Sequence, residues 1–136
     1  MPHLQVDLNR TLTRVQKIAV AARFKQLFAQ VMQTGTDHIA VSIREHGIYN
    51  LDIGRAKDHE RGIALINADI RLGRSMIQRR DLAVGFIDIL DELLDIPKEQ
   101  VYVTLTEHKG EDFHLTERYL ASWSEGEDPL GGEGEE

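Results

Sequence analysis

Apolar and polar residues alternate from the second residue of the chain. Pro2, Leu4, Val6 and Leu8 are separated by His3, Gln5 and Asp7, the period-two pattern of a strand with one buried face. Asn9-Arg10-Thr11-Leu12-Thr13 forms a polar turn with capping residues. From about Thr13 to Gln33 the spacing becomes helical through Val15, Ile18, Ala19, Ala22, Leu27, Phe28 and Val31. Gly35, within Thr34-Gly35-Thr36, stands where a left-handed residue commonly ends a helix. Ile39, Val41 and Ile43 then alternate with Ala40, Ser42 and Arg44 as a second strand. Strand, helix and strand in this order make a parallel β-α-β unit with a right-handed crossover.

Gly47 to Arg61 is irregular and charged, with a short strand expected over Tyr49 to Ile53. Then the pattern restarts. Ala64, Ile66, Ala68 and Ile70 alternate with Leu65, Asn67 and Asp69, and Arg71-Leu72-Gly73-Arg74-Ser75 makes a turn. Ile77, Val84, Ile87, Leu90 and Leu94 carry a second helix that Ile96-Pro97 stops. Val101, Val103 and Leu105 alternate as a last strand. A shift of 62 superposes Asp7 on Asp69, Gln16 on Gln78, Ile39 on Val101, Val41 on Val103, Glu45 on Glu107 and His46 on His108. Chance matches would scatter their offsets, so the halves, about 2–46 and 64–108, are one repeated unit. The expected fold is α/β (α+β in some schemes). It has two tandem β-α-β units in a four-stranded mixed sheet, with two helices on one face, within a domain spanning 1–124. The other face would carry His3, Gln5, Ala40, Ser42, Arg44, Asn67, Asp69, Arg71, Tyr102 and Thr104. That mixture suits packing against sister subunits. The aromatic segment Phe113 to Trp123 would lie on a neighbour or on its own domain.

Composition changes this picture in one respect. The formal charge is −7, but Glu125 to Glu136 holds six acidic side chains and no basic one, leaving −1 for residues 1–124. The body is near neutral, which argues against a nucleic-acid-binding face. The acidic, Gly-rich stretch 125–136 is expected to be disordered. Cysteine is absent, which removes disulfides, thiol chemistry and zinc–thiolate sites. No apolar run spans a bilayer and no signal-peptide pattern is present, so a cytoplasmic location is expected, with no membrane partner.

Few residues invite a chemical reading. If Met1 is removed, Pro2 becomes a secondary amine at the start of a strand. An ordinary amino terminus has a pKa of about 7.7–8.0, and burial or nearby cations lower it. A terminal proline among arginines is then a general base near neutral pH; the same residues also read as a plain start of a chain. Arg71 and Arg74 flank the second unit's strand-to-helix turn, a spacing that suits a carboxylate and equally a pair of surface cations. Arg44 reads as a substrate contact or an ion-pair partner, and Asp37 as a residue just past the first helix. His46 and His108 hold equivalent repeat positions and read as structural, while His38 and His59 fall in loops. The six histidines show no metal spacing, and no cofactor motif is present.

Together, Pro after Met1, two β-α-β units of about sixty residues and an Arg in a unit's turn resemble the tautomerase superfamily over residues 2 to roughly 120. That superfamily includes 4-oxalocrotonate tautomerase, 5-(carboxymethyl)-2-hydroxymuconate isomerase, macrophage migration inhibitory factor, malonate semialdehyde decarboxylase and cis-3-chloroacrylic acid dehalogenase. Pro2-His3-Leu4, Arg44-Glu45-His46 and Ile70-Arg71-Leu72-Gly73-Arg74-Ser75 are most similar to the hydroxymuconate isomerase. The dehalogenase's histidine and tyrosine fall at Ala29 and Thr104, and the decarboxylase's aspartate resembles Asp37. The resemblance implies a tautomerase/MIF-like fold, a homotrimer and a cofactor-independent isomerase. Its substrate would be a small 2-hydroxy-dienoate or 2-oxo acid, with Pro2 as base and Arg71, Arg74 and Arg44 binding the carboxylate. It leaves two alternatives open: decarboxylation or hydration of a 3-carbon acid, and a non-catalytic trimer. A retained Met1 would leave Pro2 without a basic nitrogen.

Overall fold

Thr13 and Ser75 begin the two helices in the same way. Each hydroxyl accepts a hydrogen bond at 3.1 Å from the backbone N–H of Gln16 or Gln78. The glutamine side chains return to the caps' own N–H groups at 2.9 and 3.0 Å. Two orphan donors are satisfied reciprocally at each start. The helices that follow are α1 (Arg14–Met32) and α2 (Met76–Leu94), which coincide under the 62-residue shift. Both end on left-handed residues, Gln33 and Asp95, each with φ 56°. Gln33, not Gly35, therefore closes α1, where its N–H and that of Thr34 both reach the Ala29 carbonyl.

The computed structural model describes residues 2–119. Four strands are present: β1 (His3–Leu8), β2 (Ala40–Glu45), β3 (Ala64–Arg71) and β4 (Val101–His108). They lie in the order β2-β1-β3-β4. β2 is parallel to β1 and β4 is parallel to β3, while β1 and β3 pair antiparallel with His3 opposite Asp69 and Leu8 opposite Ala64. The sheet is the expected mixed one, and both helices cover its apolar face. No helix of the described residues is long and apolar enough to cross a membrane. The acidic stretch 125–136, and Leu120 to Trp123 of the aromatic segment, lie outside the described residues.

The core is led by aromatic bulk. Phe24 of α1 and Phe86 of α2 meet with ring centroids 4.6 Å apart. A Cβ added at Gly85 would stand 2.6 Å from both methyl carbons of Leu27, so the helices approach closely there. The buried stripe of α1 is Val20, Phe24, Phe28 and Met32. Val15 and Ile18, expected inside, are 75% and 58% exposed, and Ile77 of α2 is 72% exposed. An Ala- and Val-rich helix offers several overlapping apolar stripes, and the phase that buries the two phenylalanines wins because it removes the most surface from water.

The connection from β2 to β3 contains 3-10 turns at Ile48–Asn50 and His59–Arg61 in place of the short strand expected at Tyr49–Ile53. Buried amides hold it. Asn9 donates to the Ile48 and His59 carbonyls at 2.9 and 3.1 Å and accepts from the Ile63 N–H at 2.7 Å. Gln100 accepts from Lys57 and Asp58 N–H and donates to the Asp58 and Gly62 carbonyls. With its backbone groups answered by side chains, this segment has no need of a strand partner. Replacing Phe86 by Ala is expected to cost about 3–5 kcal/mol; equilibrium denaturant unfolding measures it, and a loss under about 1 kcal/mol would show that the site collapses freely.

Candidate active site at the start of the first strand

Pro2 is buried, and its carbonyl accepts the Ala40 N–H at 3.0 Å, which pins the chain start to β2. The antiparallel register of β1 and β3 places His3 opposite Asp69; one step further, Pro2 falls beside Ile70. Arg71, the last residue of β3, therefore arrives at the Pro2 end of the sheet. Arg71 is 3% exposed. The next residue is fastened to β4 by a 2.8 Å bond from the Leu72 N–H to the His108 carbonyl. Gly73 then takes φ 114°, a conformation glycine adopts without strain, and the chain turns into α2.

A pocket of about 300 Å³ opens at this end. Pro2, His3, His38 and Ala40 form one side, and Asp112 to Leu115 form the other. The second wall is built by the chain after β4. Phe113 meets the His108 ring edge-on with centroids 5.5 Å apart. A small hairpin follows, closed by the bridge between His114 and Tyr119 and a 2.8 Å bond from the Leu115 N–H to the Arg118 carbonyl. The hairpin sets Arg118 Nη2 3.2 Å from His38 Nε2. Burial holds the His38 pKa below the ordinary histidine value, and neighbouring positive charges, Arg118 and Arg71 among them, add to that, while Asp37 opposes it. Asp37 itself is exposed.

The other expected residues occupy different positions. Arg74 is 6% exposed and donates through Nη1 to the Met32 carbonyl, so its guanidinium answers one of the orphan acceptors at the end of α1. Arg44 is opposite Asp7 in the β1–β2 register. Within one chain this is five residues from Pro2, roughly 16 Å at about 3.3 Å per residue. His38 and Arg118 were not singled out by the sequence reading. A signal for His38 was available: the repeat aligns it with the buried Gln100, so the two units differ in chemistry at one structural position.

Arg44 belongs instead to a polar network across the sheet face away from the helices. It grips both oxygens of Asp7 at 2.8 and 3.0 Å, and Asp7 also meets His46 at 2.8 Å. Arg44 touches the Gln5 amide oxygen at 3.4 Å, Gln5 donates to Asp69 at 2.6 Å, and Asp69 meets His108 at 2.9 Å. The Asp–His pair is thus repeated, which accounts for His46 and His108. Among the described residues no group of three or more His, Asp or Glu side chains is placed to hold a metal.

No protein-family model matches the sequence, and no curated protein does. Solved structures do match. A wild-type fused 4-OT, a symmetric trimer, aligns with TM-score 0.75 at 18% identity over 92% of this chain and 99% of that one. Macrophage migration inhibitory factor of Toxoplasma gondii aligns with TM-score 0.74 at 16% identity over 87% and 99%. Pt0534, inactivated by 2-oxo-3-pentynoate, aligns with TM-score 0.72 at 18% identity over 84% and 91%. The chain has the tautomerase fold.

The Arg44–Asp7 pair makes a pH-dependent prediction. The hydrogen bond from Arg44 is the chief cause that lowers the Asp7 pKa, with burial opposing and His46 assisting. The folded-state value is therefore depressed. Its contribution is present above the ordinary carboxylate value of about 3.9 and is lost as pH falls through the folded-state value. Arg44→Ala should lower stability at neutral pH, and the gap to the parent should close in acid. Unfolding midpoints over a pH series test this; a gap that persists in acid would assign the effect to packing.

Proposed function

We propose that this protein is a cofactor-independent tautomerase of the tautomerase superfamily, moving a proton on a small 2-hydroxy-dienoate or 2-oxo acid. The observation that carries the reading is the convergence of a buried Pro2 and a buried Arg71 at one end of a tautomerase-fold sheet. With Met1 removed, Pro2 is a secondary amine whose pKa both burial and the Arg71 charge depress below about 7.7–8.0. The neutral nitrogen takes the enol hydroxyl proton, the electron pair moves through the conjugated system, and the proton returns at carbon to give the 2-oxo acid. Arg71 holds the carboxylate by charge-assisted hydrogen bonds. Arg74 keeps the turn before α2 against the end of α1 and so positions Arg71. Arg44 and the Asp–His pairs shape the polar face on which sister subunits pack in a homotrimer.

Two measurements test the reading. Sedimentation at micromolar concentration is expected to give a trimer; a stable monomer would contradict the assembly. For the chemistry, ketonisation of phenylenolpyruvate is followed by absorbance on protein whose mass confirms loss of Met1. Pro2→Ala retains a primary amine yet should lose about 10²–10⁴-fold in kcat, while Arg71→Ala should act mainly through KM. A Pro2→Ala variant as fast as the parent would refute the proline mechanism.

A further inference from the structure

The repeat that places Pro2 at one end of the sheet places another cavity at the opposite end, where β4 begins. Its volume is about 350 Å³, and Ile53, Gly54, Arg55, Val101 and Tyr102 line it. Under the 62-residue shift Ile53 falls on Leu115 and Tyr102 on Ala40, both of which line the Pro2 pocket. The two cavities are counterparts, one per unit. In the second unit Ala64 stands in place of Pro2, with no amine to act as a base. The nearby Gln100 amide is spent on backbone groups of Lys57, Asp58 and Gly62.

Ile53, Val101 and Tyr102 give this cavity a largely apolar wall, and Tyr102 is 59% exposed. Arg55 is the one charged residue of the lining. It is exposed and makes no hydrogen bond or ion pair among the described residues. The acids near it in sequence are engaged elsewhere: Asp52 meets His59 at 3.0 Å, and Asp58 accepts the Glu60 N–H at 3.0 Å. A Cβ added at Gly54 would meet nothing within 4 Å, so the chain leaves the cavity open on that side. Cavities of about 300–1,000 Å³ with apolar walls and a few polar groups are the usual small-molecule sites. An unanswered guanidinium matches a carboxylate, and the wall matches an aromatic body. We propose that this cavity is a second, non-catalytic binding site for an arylalkanoic acid. The carboxylate meets Arg55 and the ring lies against Ile53, Val101 and Tyr102. A dicarboxylate fits less well, because its second charge would face the apolar wall uncompensated. The proposal uses neither Pro2 nor Arg71, so it stands apart from the tautomerase reading.

Titration of the full ¹⁵N-labelled chain with phenylacetate, followed by backbone amide NMR, tests it. The amides of Gly54, Arg55 and Tyr102 should shift together and saturate. Acetate, which has the charge without the ring, and benzyl alcohol, which has the ring without the charge, should each move them far less. Arg55→Gln should weaken Kd about tenfold, the worth of one charge-assisted hydrogen bond. Added salt should weaken binding to the parent and spare that variant. Gly54→Leu should fill the cavity and abolish saturation while the melting temperature holds, since the added side chain starts in open space. Any shifts at Ala40 and Leu115 report on the Pro2 pocket and should be the same in both variants. Unmoved Gly54, Arg55 and Tyr102 amides would overturn the proposal, as would equal responses to acetate and phenylacetate. So would an unchanged Kd in Arg55→Gln, or saturation that survives Gly54→Leu.

Discussion

The antiparallel pairing of β1 with β3 is the constraint on which the rest of the molecule depends. Gln5 lies opposite Asn67, and these two residues are also equivalent in the repeat, so the pseudo-twofold axis passes between them. The start of β1 is thereby placed at the end of β3, and each unit's second strand becomes an outer strand. A slip of one residue would turn Leu4, Val6 and Leu8 outward and carry Asp7 and Gln5 into the core. The register is therefore held from both faces, by apolar packing beneath and by the Gln5–Asp69 bond at 2.6 Å above.

The same symmetry lets the two ends of the sheet be compared position by position among the described residues. Four positions converge at each end: at one, Pro2 and His38 from the first unit with Arg71 and Arg74 from the second; at the other, their repeat equivalents Ala64, Gln100, Asn9 and Leu12. In the second set two buried amides, Asn9 at 1% and Gln100 at 3% exposure, knot the connection between the units, and the remaining two residues are apolar. In the first set the same backbone sites hold two guanidiniums, an imidazole and a proline. The scaffold is shared and the side chains diverge, so the two ends differ in charge and in hydrogen-bonding groups.

Much of the fold was legible because local and global signals agree. The strands alternate strictly, both helix starts carry reciprocal caps, and one offset relates the halves. The parts that were missed have physical causes. Gly35 resembled a stop signal, yet the helix closes at Gln33, its length set by the capping box and the next strand rather than by the nearest glycine. Val15 and Ile18 fit a helical period but not the phase fixed by the Phe24–Phe86 contact. At the candidate site, Pro2 and Arg71 were singled out only through the family resemblance, because on pattern alone they read equally as a plain chain start and a surface cation. The Arg118–His38 contact spans 80 residues, and no short-range signal encodes it. Arg44 attracted attention as a cation on a strand, but its partner, Asp7, is specified only by the parallel register of β1 and β2.

Charge also decides which protonation states this pocket can sustain. A single cation at roughly 8 Å and an effective dielectric of about 20 disfavours a second positive charge by about 2 kcal/mol, or about 1.5 pKa units. That is enough to bring an amine that titrates near 8 to below neutrality, and it acts on an imidazole in the same sense. Arg71 and Arg118 both act on His38 in this direction, and Pro2 shares its pocket. Of the acidic groups among the described residues, Asp37 is exposed and opposes this shift, and Asp112 sits on the opposite wall of the pocket. Among the described residues, burial and the cations at this end therefore favour a neutral His38 ring.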